Sequence, residues 1–481
     1  MREYLPWLIG ITVATATVLL GGGWFRRLAW RIGLVDKPKL RGVHGDAVAR
    51  SGGMTVAAAL LLALLAQMGA ARAMDLPQAY LADVDNVYLL LPALTLLGLG
   101  LLDDLRPMGA RAKLVVQFVC AVWAWVLGFR LDVVNVLGLF SFATDWFSLP
   151  LTVIFIVAIT NAFNMLDGID GLCAGSAFIS LAGIGAYSLL GGHLQLGLAI
   201  PLAAACLAFV RLNLGKPKTF LGDSGSTFLG FVIAAMALRA VRTGEGEIAL
   251  APLFLLLSLP VVDITSVVVR RSLQGSNPLT ADRGHIHHIA MILFDQSNAR
   301  AVSALLAMAA VSAAGAYLAG AQPPLAMAVV ALPVGLYATV YARGGYLNFH
   351  NLRMAAGASR VAHDIAADCR VYGPASALTD AQAIELLELL RISAIGLLDD
   401  KSNLVWCLGV PDLERDALEL PLYAGGRVKR GVLLVQGASG QADKLAFAAQ
   451  LMLPLYPAFM EMLESKVRAT AKITKPLSAQ A

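Results

Sequence analysis

Charge is what this sequence has least of. Only 14% of its 481 residues are Asp, Glu, Lys or Arg, against about 25% in ordinary globular chains. Length alone would suggest roughly three soluble domains, but so little charge cannot cover three water-facing surfaces. With 58% apolar residues, lipid has to cover the rest. Cysteine pairs are also missing. Cys120, Cys173, Cys206, Cys369 and Cys407 stand singly, with no CxxC and no metal-ligand spacing, which excludes a disulfide framework and leaves small apolar fillers. The absence of internal repeats and low-complexity tracts excludes a solenoid or a disordered tail. The net charge of +5 sits almost wholly in one set of loops, and nucleic acid is not an expected partner.

What is present is a series of apolar runs long enough to cross about 30 Å of hydrocarbon. They fall near 4–24, 52–71, 87–102, 113–128, 149–165, 173–191, 194–212, 224–241, 249–268, 300–319 and 324–342, giving eleven candidate helices. The first lacks a cleavage pattern and is read as a spanning helix rather than a signal peptide. Lysine and arginine gather in alternate loops: Arg26, Arg27, Arg31, Lys37, Lys39, Arg41 and Arg50 in the first, with Arg106, Arg111, Lys113, Arg211, Lys216, Lys218, Arg270, Arg271, Arg283 and Arg300 in later ones. The opposite loops hold Asp75, Asp83, Asp85, Asp132 and Asp145. Positive loops stay cytoplasmic, so the amino terminus is expected outside and the carboxyl terminus inside. The polar, broken stretch 129–148 reads as a short external hairpin.

The expected fold is therefore an all-α polytopic membrane protein of about eleven transmembrane helices, residues 1–343, followed by a small cytoplasmic α+β domain, residues 344–481. In the second part, Asp380 to Arg391 and Leu445 to Leu463 have helical periodicity, while Ala394 to Leu404 and Leu418 to Gln436 read as strands around Ala424-Gly425-Gly426. The latter stretch faintly resembles the strand-turn-strand of GAF-type sensory domains, and a regulatory or interaction role with an unidentified regulator is expected.

Four clusters carry chemistry, each at a cytoplasmic helix end. Leu101-Leu102-Asp103-Asp104-Leu105 places two carboxylates side by side, which raises the proton affinity of one or attracts a cation; a solvated helix end is the plain alternative. In Asn161-Ala162-Phe163-Asn164-Met165-Leu166-Asp167-Gly168-Ile169-Asp170-Gly171, Asn161, Asn164 and Asp167 are three apart and share roughly one side of a helix before the glycines permit a turn. Capping and turn chemistry explains one Asp and both glycines, but not four amides and carboxylates beside a membrane. Phe220-Leu221-Gly222-Asp223-Ser224-Gly225-Ser226 opens a helix, where anions are favoured and Asp223 offers a hard oxygen ligand for Mg²⁺; an ordinary N-cap competes. In Asp282-Arg283-Gly284-His285-Ile286-His287-His288, three imidazoles and a guanidinium suit phosphate better than one helical zinc face.

Together the motifs resemble the polyprenyl-phosphate N-acetylhexosamine-1-phosphate transferase family from about Asp36 to His288. The order is DKP with Arg41 and His44, Gly52-Gly53, LLDDL with Lys113 and Gln117, NAFNMLDGIDG, FLGDSGS and DRGHIHH. The first loop departs from the pattern: it reads Arg41-Gly42-Val43-His44 where many members have a second basic residue after the arginine, and Val48-Ala49-Arg50 where a proline is common. The resemblance implies transfer of N-acetylhexosamine 1-phosphate from a UDP-sugar to undecaprenyl or another polyprenyl phosphate, with release of UMP, at a bacterial inner membrane. HIHH resembles the UDP-N-acetylglucosamine branch more than the muramyl-pentapeptide branch, which stays as the alternative reading. The implied roles are catalysis by Asp103 and Asp104, with Asp103 as base, and metal binding by Asp223, with Mg²⁺ or in its place Mn²⁺. Asn164, Asp167, Gly168, Asp170, Asn213 and Phe220 are assigned to the nucleotide, Phe220 stacking on uracil. Lys113, Asn161, Arg283, His285, His287 and His288 are assigned to phosphate and sugar. Membrane lipids and a second copy in a homodimer complete the expected partners. A transporter would place its polar groups near the bilayer midplane, whereas these lie at helix ends, and a receptor with a decayed core would have lost motif residues, which all remain; transporter and receptor stay as the alternatives of a different class.

Overall fold

The computed structural model describes residues 4–36, 47–76, 87–190, 196–215, 217–243, 246–273, 285–294, 297–322 and 325–343, together with four strands between 392 and 437. The chain forms two compact units: residues 1–36, 48–265 and 294–337 make the first, and 37–47, 266–293 and 338–481 the second. The protein is mostly helical and multi-pass.

Each of the eleven apolar runs carries helix. The first run continues as one helical stretch, Leu5–Ile32, made of α1 (Leu5–Ala16), a π turn (Thr17–Gly21) and α2 (Gly22–Ile32). The glycines at 21–23 therefore do not end it. It stops at Gly33, whose φ of 79° lets Leu34 N–H reach Ala29 O at 2.8 Å, a left-handed glycine cap. Then follow α3 (Gly52–Ala73), α4 (Leu90–Leu105), α5 (Ala110–Val126), α6 (Ser148–Leu166), α7 (Leu172–Leu190), α8 (Leu196–Asn213) and α9 (Gly222–Ala240). After these come α10 (Leu250–Leu256), α11 (Ser258–Leu273), α12 (Ile286–Leu293), α13 (Asn298–Ala321) and α14 (Ala326–Arg343). Among the described residues six helices are long and apolar enough to cross a membrane, or seven with the bent pair α10 and α11 counted as one.

Among the described residues that is fewer than the eleven spans expected, and the bent pair is one place where the sequence reading and the structure part. The run 249–268 reads as one helix, but it bends by 92° at Leu257. Pro260 explains the break, because proline has no N–H to offer and its ring collides with the carbonyl four residues back, here that of Leu256. Ser180 Oγ donates to that carbonyl at 2.9 Å, and Ser258 Oγ lies 3.1 Å from the Tyr337 hydroxyl. The freed backbone is thus satisfied inside the protein, as lipid requires.

At the centre of the first unit runs α9, in which every residue except Asp223 and Arg239 is buried. A helix apolar on all sides belongs inside a bundle. It packs on α3, α4, α6 and α7, and glycines set the approach. A Cβ on Gly100 would stand 2.4 Å from Ser224 Cα, one on Gly53 2.5 Å from Gly225 N, and one on Gly230 2.8 Å from Thr160 Cα. Small residues permit such backbone contact between membrane helices.

Two small sheets belong to this unit. β1 (Val35–Asp36) pairs antiparallel with β2 (Val48–Ala49). β3 (Val133–Val136) and β4 (Phe140–Ala143) form the expected hairpin, and β5 (Glu247–Ala249), not foreseen, adds to β3 in parallel, giving the order β4-β3-β5. In the second unit, β6 (Ile392–Asp399), β7 (Leu404–Gly409), β8 (Ala417–Ala424) and β9 (Val428–Gly437) form an antiparallel sheet ordered β7-β6-β9-β8. The helices expected at 380–391 and 445–463 lie outside the described residues.

Candidate active site

The end of α4 meets the start of α9. Asp104 closes α4 with a side chain of zero exposure. Its Oδ1 accepts from Asp223 N–H at 3.2 Å and its Oδ2 from Ser224 N–H at 3.1 Å. A helix start leaves backbone donors without partners inside the helix, and a carboxylate there also meets the positive end of the helix dipole. Asp104 is thus the cap of α9, supplied by a neighbouring helix. Gly222, at φ 76°, permits the contact, since a Cβ there would lie 2.6 Å from Asp104 Oδ2. Arg50 Nη1 donates to Asp104 Oδ1 at 3.0 Å, and its Nη2 donates to Asp36 Oδ1 at 2.6 Å. Burial works against the Arg50 charge, but Asp36 and Asp104 outweigh it and hold its pKa above the ordinary value.

Asp103, one residue earlier, lies beside the Asp223 side chain rather than on the backbone that starts α9. Its Oδ1 accepts from Met108 N–H at 2.6 Å and its Oδ2 from Lys113 Nζ at 2.9 Å. Lys113, in the first turn of α5, donates equally to Asp223 Oδ2 at 2.9 Å. One ammonium therefore sits between two carboxylates, and all three side chains keep some exposure, 12% for Asp103, 23% for Lys113 and 30% for Asp223. The two adjacent aspartates differ in kind: Asp103 faces an accessible charged cluster, and Asp104 is enclosed.

The end of α6 joins the same region. Asn164 Oδ1 accepts from Ser226 Oγ at 2.7 Å, tying α6 to α9. Asn161 Nδ2 donates to Gln117 Oε1 at 2.7 Å, tying α6 to α5. Asp167 follows the last helical residue and is half-buried. Burial pushes its carboxyl well above the usual range, and the charges of Asp223, Asp104 and Asp170 add to this, while the Gly222 N–H opposes it. Gly171 makes the turn at φ 85°; Gly168 is exposed and Asp170 half-buried. Asn213 is buried and holds two loops together, accepting from Gly171 N–H at 2.6 Å and donating to Thr219 O at 3.0 Å. Phe220, next to that junction, is half-buried. Its N–H donates to Ala49 O at 2.8 Å, and its carbonyl accepts from Gly52 N–H at 2.9 Å.

In the second unit, His285 and His287 are buried. Their rings lie parallel with centroids 5.7 Å apart, and the His288 ring stands 4.2 Å from that of His287. Burial, then the neighbouring His288 and His285, push His287 well below the ordinary histidine range, so it is neutral at physiological pH. Its buried Nδ1 has no hydrogen-bond partner among the described residues. Arg283 lies outside the described residues.

The structure therefore brings Asp103, Asp104, Lys113, Asn161, Asn164, Asp167 and Asp223 to one set of helix ends. The sequence reading had no role for Arg50 beyond orienting the first loop. Its position two residues before Gly52-Gly53, the pair that seats α3 against Leu221 and Gly225, was the available signal.

The donor set suits Mg²⁺. That ion takes one or two carboxylates and fills the rest of its octahedron with water and substrate phosphate, and Asp223 with Asp103 supplies hard oxygens on accessible side chains. Among the described residues no group of three or more His, Cys, Asp or Glu forms an all-protein metal cage.

A helical bundle that gathers carboxylates, amides and an ammonium at one end of its helices is built to handle a charged substrate at a membrane surface. The model for glycosyl transferase family 4 matches residues 86–241. A probable undecaprenyl-phosphate N-acetylglucosaminyl 1-phosphate transferase of Bacillus subtilis is 32% identical over 287 residues, 59% of this chain and 77% of that protein. The undecaprenyl-phosphate alpha-N-acetylglucosaminyl 1-phosphate transferase of Escherichia coli K12 is 29% identical over 273 residues, 55% of this chain and 71% of its own length. A decaprenyl-phosphate N-acetylglucosaminephosphotransferase of Mycolicibacterium smegmatis is 30% identical over 340 residues, 64% and 80% of the two chains. The chain belongs to glycosyl transferase family 4 and is a phosphoglycosyl transferase.

Proposed function

We propose that the protein transfers N-acetylglucosamine 1-phosphate from UDP-N-acetylglucosamine to a polyprenyl phosphate, releasing UMP and starting a lipid-linked glycan on the cytoplasmic side of a bacterial inner membrane. The observation that carries this reading is the Asp103–Lys113–Asp223 cluster, accessible and alternating in charge, held in place by the buried Asp104 behind it. The muramyl-pentapeptide alternative is set aside, since the three relatives above all bear N-acetylglucosamine names.

The reaction moves a phosphoryl-linked sugar between two anions, so positioning and charge neutralisation do most of the work. Bound at Asp223, Mg²⁺ would neutralise the diphosphate. Lys113 supplies a positive charge between Asp103 and Asp223 and steers a phosphate to them. A phosphate monoester has its second pKa near 6, so the acceptor arrives mostly ionised, and Asp103 serves chiefly by holding the Lys113 ammonium that meets it. Asp104 acts through α9, fixing where Asp223 points. Phe220 stacks on uracil, with Asn164, Asp167, Gly168 and Asp170 along the nucleotide. Asn213 shapes that side by holding Gly171 and Thr219. Asn161 is held by Gln117 on the sugar side, and the neutral His287, with His285, His288 and Arg283, offers contacts to phosphate and sugar. Residues 344–481, beyond the last membrane helix in sequence, have a regulatory or docking role.

The test is UMP release from purified protein in detergent, with undecaprenyl phosphate and a panel of UDP-sugars. Release with UDP-N-acetylglucosamine, dependent on the lipid phosphate and on Mg²⁺, is the expected result. Turnover of UDP-muramyl-pentapeptide alone would overturn the choice of sugar, and lipid-independent hydrolysis would overturn the transfer.

A further inference from the structure

We propose that the edge of the β4-β3-β5 sheet rests on the lipid leaflet opposite the active site, with Phe140, Phe142, Trp146 and Phe147 in its headgroup and upper acyl region. The sheet lies far from the carboxylate cluster. Helix α5 begins beside the cluster with Lys113 and ends at Val126, just before the hairpin, and 17 helical residues span about 25 Å.

Strand register shows how the sheet is oriented. Val134 pairs with Phe142 on one side and with Ile248 on the other, and directly paired residues share a face. Along that row exposure rises from 1% at Ile248 and 6% at Val134 to 47% at Phe142. Val136 and Phe140 form the next pair on the same face, and the Phe140 and Phe142 rings lie 6.3 Å apart. The other face carries the polar side chains of the sheet. Asn135 Nδ2 donates to Ser141 Oγ at 2.9 Å and to Glu247 Oε2 at 3.1 Å. So the apolar face that protein covers beneath β5 and β3 continues uncovered beneath the edge strand β4.

What lies beneath the overhang follows from the next residues of the chain. Trp146 and Phe147 are exposed, with ring centroids 3.9 Å apart, and they open the apolar span Asp145–Leu166. The overhanging face is therefore continuous with the point where a lipid-facing helix enters the bilayer. Between Val133 and Thr144 there is no charged residue, so the overhang itself is uncharged, with Asp132 and the exposed Asp145 at its two ends. Aromatic side chains with polar flanks favour the membrane interface.

The experiment uses the full chain in nanodiscs of phosphatidylethanolamine and phosphatidylglycerol, one copy per disc. Emission of the wild type minus that of Trp146→Phe isolates Trp146, and Phe142→Trp adds a second reporter. Both substitutions exchange one aromatic ring for another, and thermal unfolding checks that each variant is folded. The expected result is strong quenching by lipids brominated at a shallow acyl position, with several-fold weaker iodide quenching than for free tryptophan. Full iodide quenching without any effect of brominated lipid would overturn the proposal. Shielding from iodide that appears only when discs hold two copies, again without quenching by brominated lipid, would assign the edge to a second copy and overturn it equally.

Discussion

Replacing Asp104 by alanine separates the two adjacent aspartates. The substitution strands three donors at once: the backbone N–H groups of Asp223 and Ser224, and Arg50 Nη1. Loss of a helix cap costs about 1 kcal/mol, and breaking a buried charge pair about 3–5 kcal/mol. Arg50 keeps Asp36 at 2.6 Å and its side chain is 28% exposed, so water and Asp36 absorb part of the loss. The expected destabilisation is therefore at the low end, about 3 kcal/mol. Asp103→Ala removes acceptors from Met108 N–H and Lys113, but Lys113 retains Asp223, so about 1 kcal/mol is expected. The gap of about 2 kcal/mol corresponds to roughly 4–8 °C in unfolding temperature. Reaction of a thiol dye with the buried Cys120, Cys173 and Cys206 during heating reports it. Both variants should lose UMP release, but only Asp104→Ala should also unfold early. Equal unfolding temperatures for the two variants would refute the assignment of Asp104 as the cap of α9.

The remaining predictions follow from single contacts. Gly100→Ala forces a Cβ to 2.4 Å from Ser224 Cα and should cost about 1–3 kcal/mol and most activity, whereas Gly98→Ala, with nothing within 4 Å of its added Cβ, should be neutral or stabilising in the same thermal assay. Asp223→Asn should lower the turnover number at saturating substrate by about 100-fold or more while keeping the wild-type unfolding temperature; near-normal turnover with unchanged Mg²⁺ dependence would remove it from the metal site. Phe220→Ala should raise KM for the UDP-sugar by about tenfold without changing KM for the lipid phosphate. Truncation after Arg343 should leave UMP release intact in detergent, so loss of turnover in a folded truncated protein would make residues 344–481 part of the catalytic unit.

Much of the architecture was legible because lipid imposes a simple rule. Apolar runs of sufficient length favour helix, and each of the eleven carries one, although six or seven of them qualify as spans among the described residues. Motif residues at helix ends were legible for a related reason, since charge is cheap there and costly elsewhere in the membrane. The break at Leu257 was harder to see, because Pro260 is embedded in an apolar run and Ser180, whose hydroxyl takes up the Leu256 carbonyl, is far away in sequence. Strand β5 was missed because three residues beside a turn carry too little pattern, and only the parallel pairing with β3 defines them. At Gly21–Gly23 local propensity was outweighed by the need to keep backbone groups paired inside lipid.

Which of two neighbouring aspartates faces inward has a physical answer that the spacing of α4 already contained. Adjacent residues on a helix point about 100° apart, so Asp103 and Asp104 cannot both reach the backbone N–H groups at the start of α9. Residues four apart share a face, and the row Leu96, Gly100, Asp104 is buried at every step, with Gly100 allowing α4 to touch Ser224. Asp104, one turn beyond that glycine, must therefore meet the start of α9, where unpaired N–H groups favour a carboxylate. Asp103 is thereby turned toward Lys113 and the accessible cluster. In the proposed reaction both carboxylates count, one by lining the accessible cluster with Lys113 and Asp223 and the other through the helix it holds.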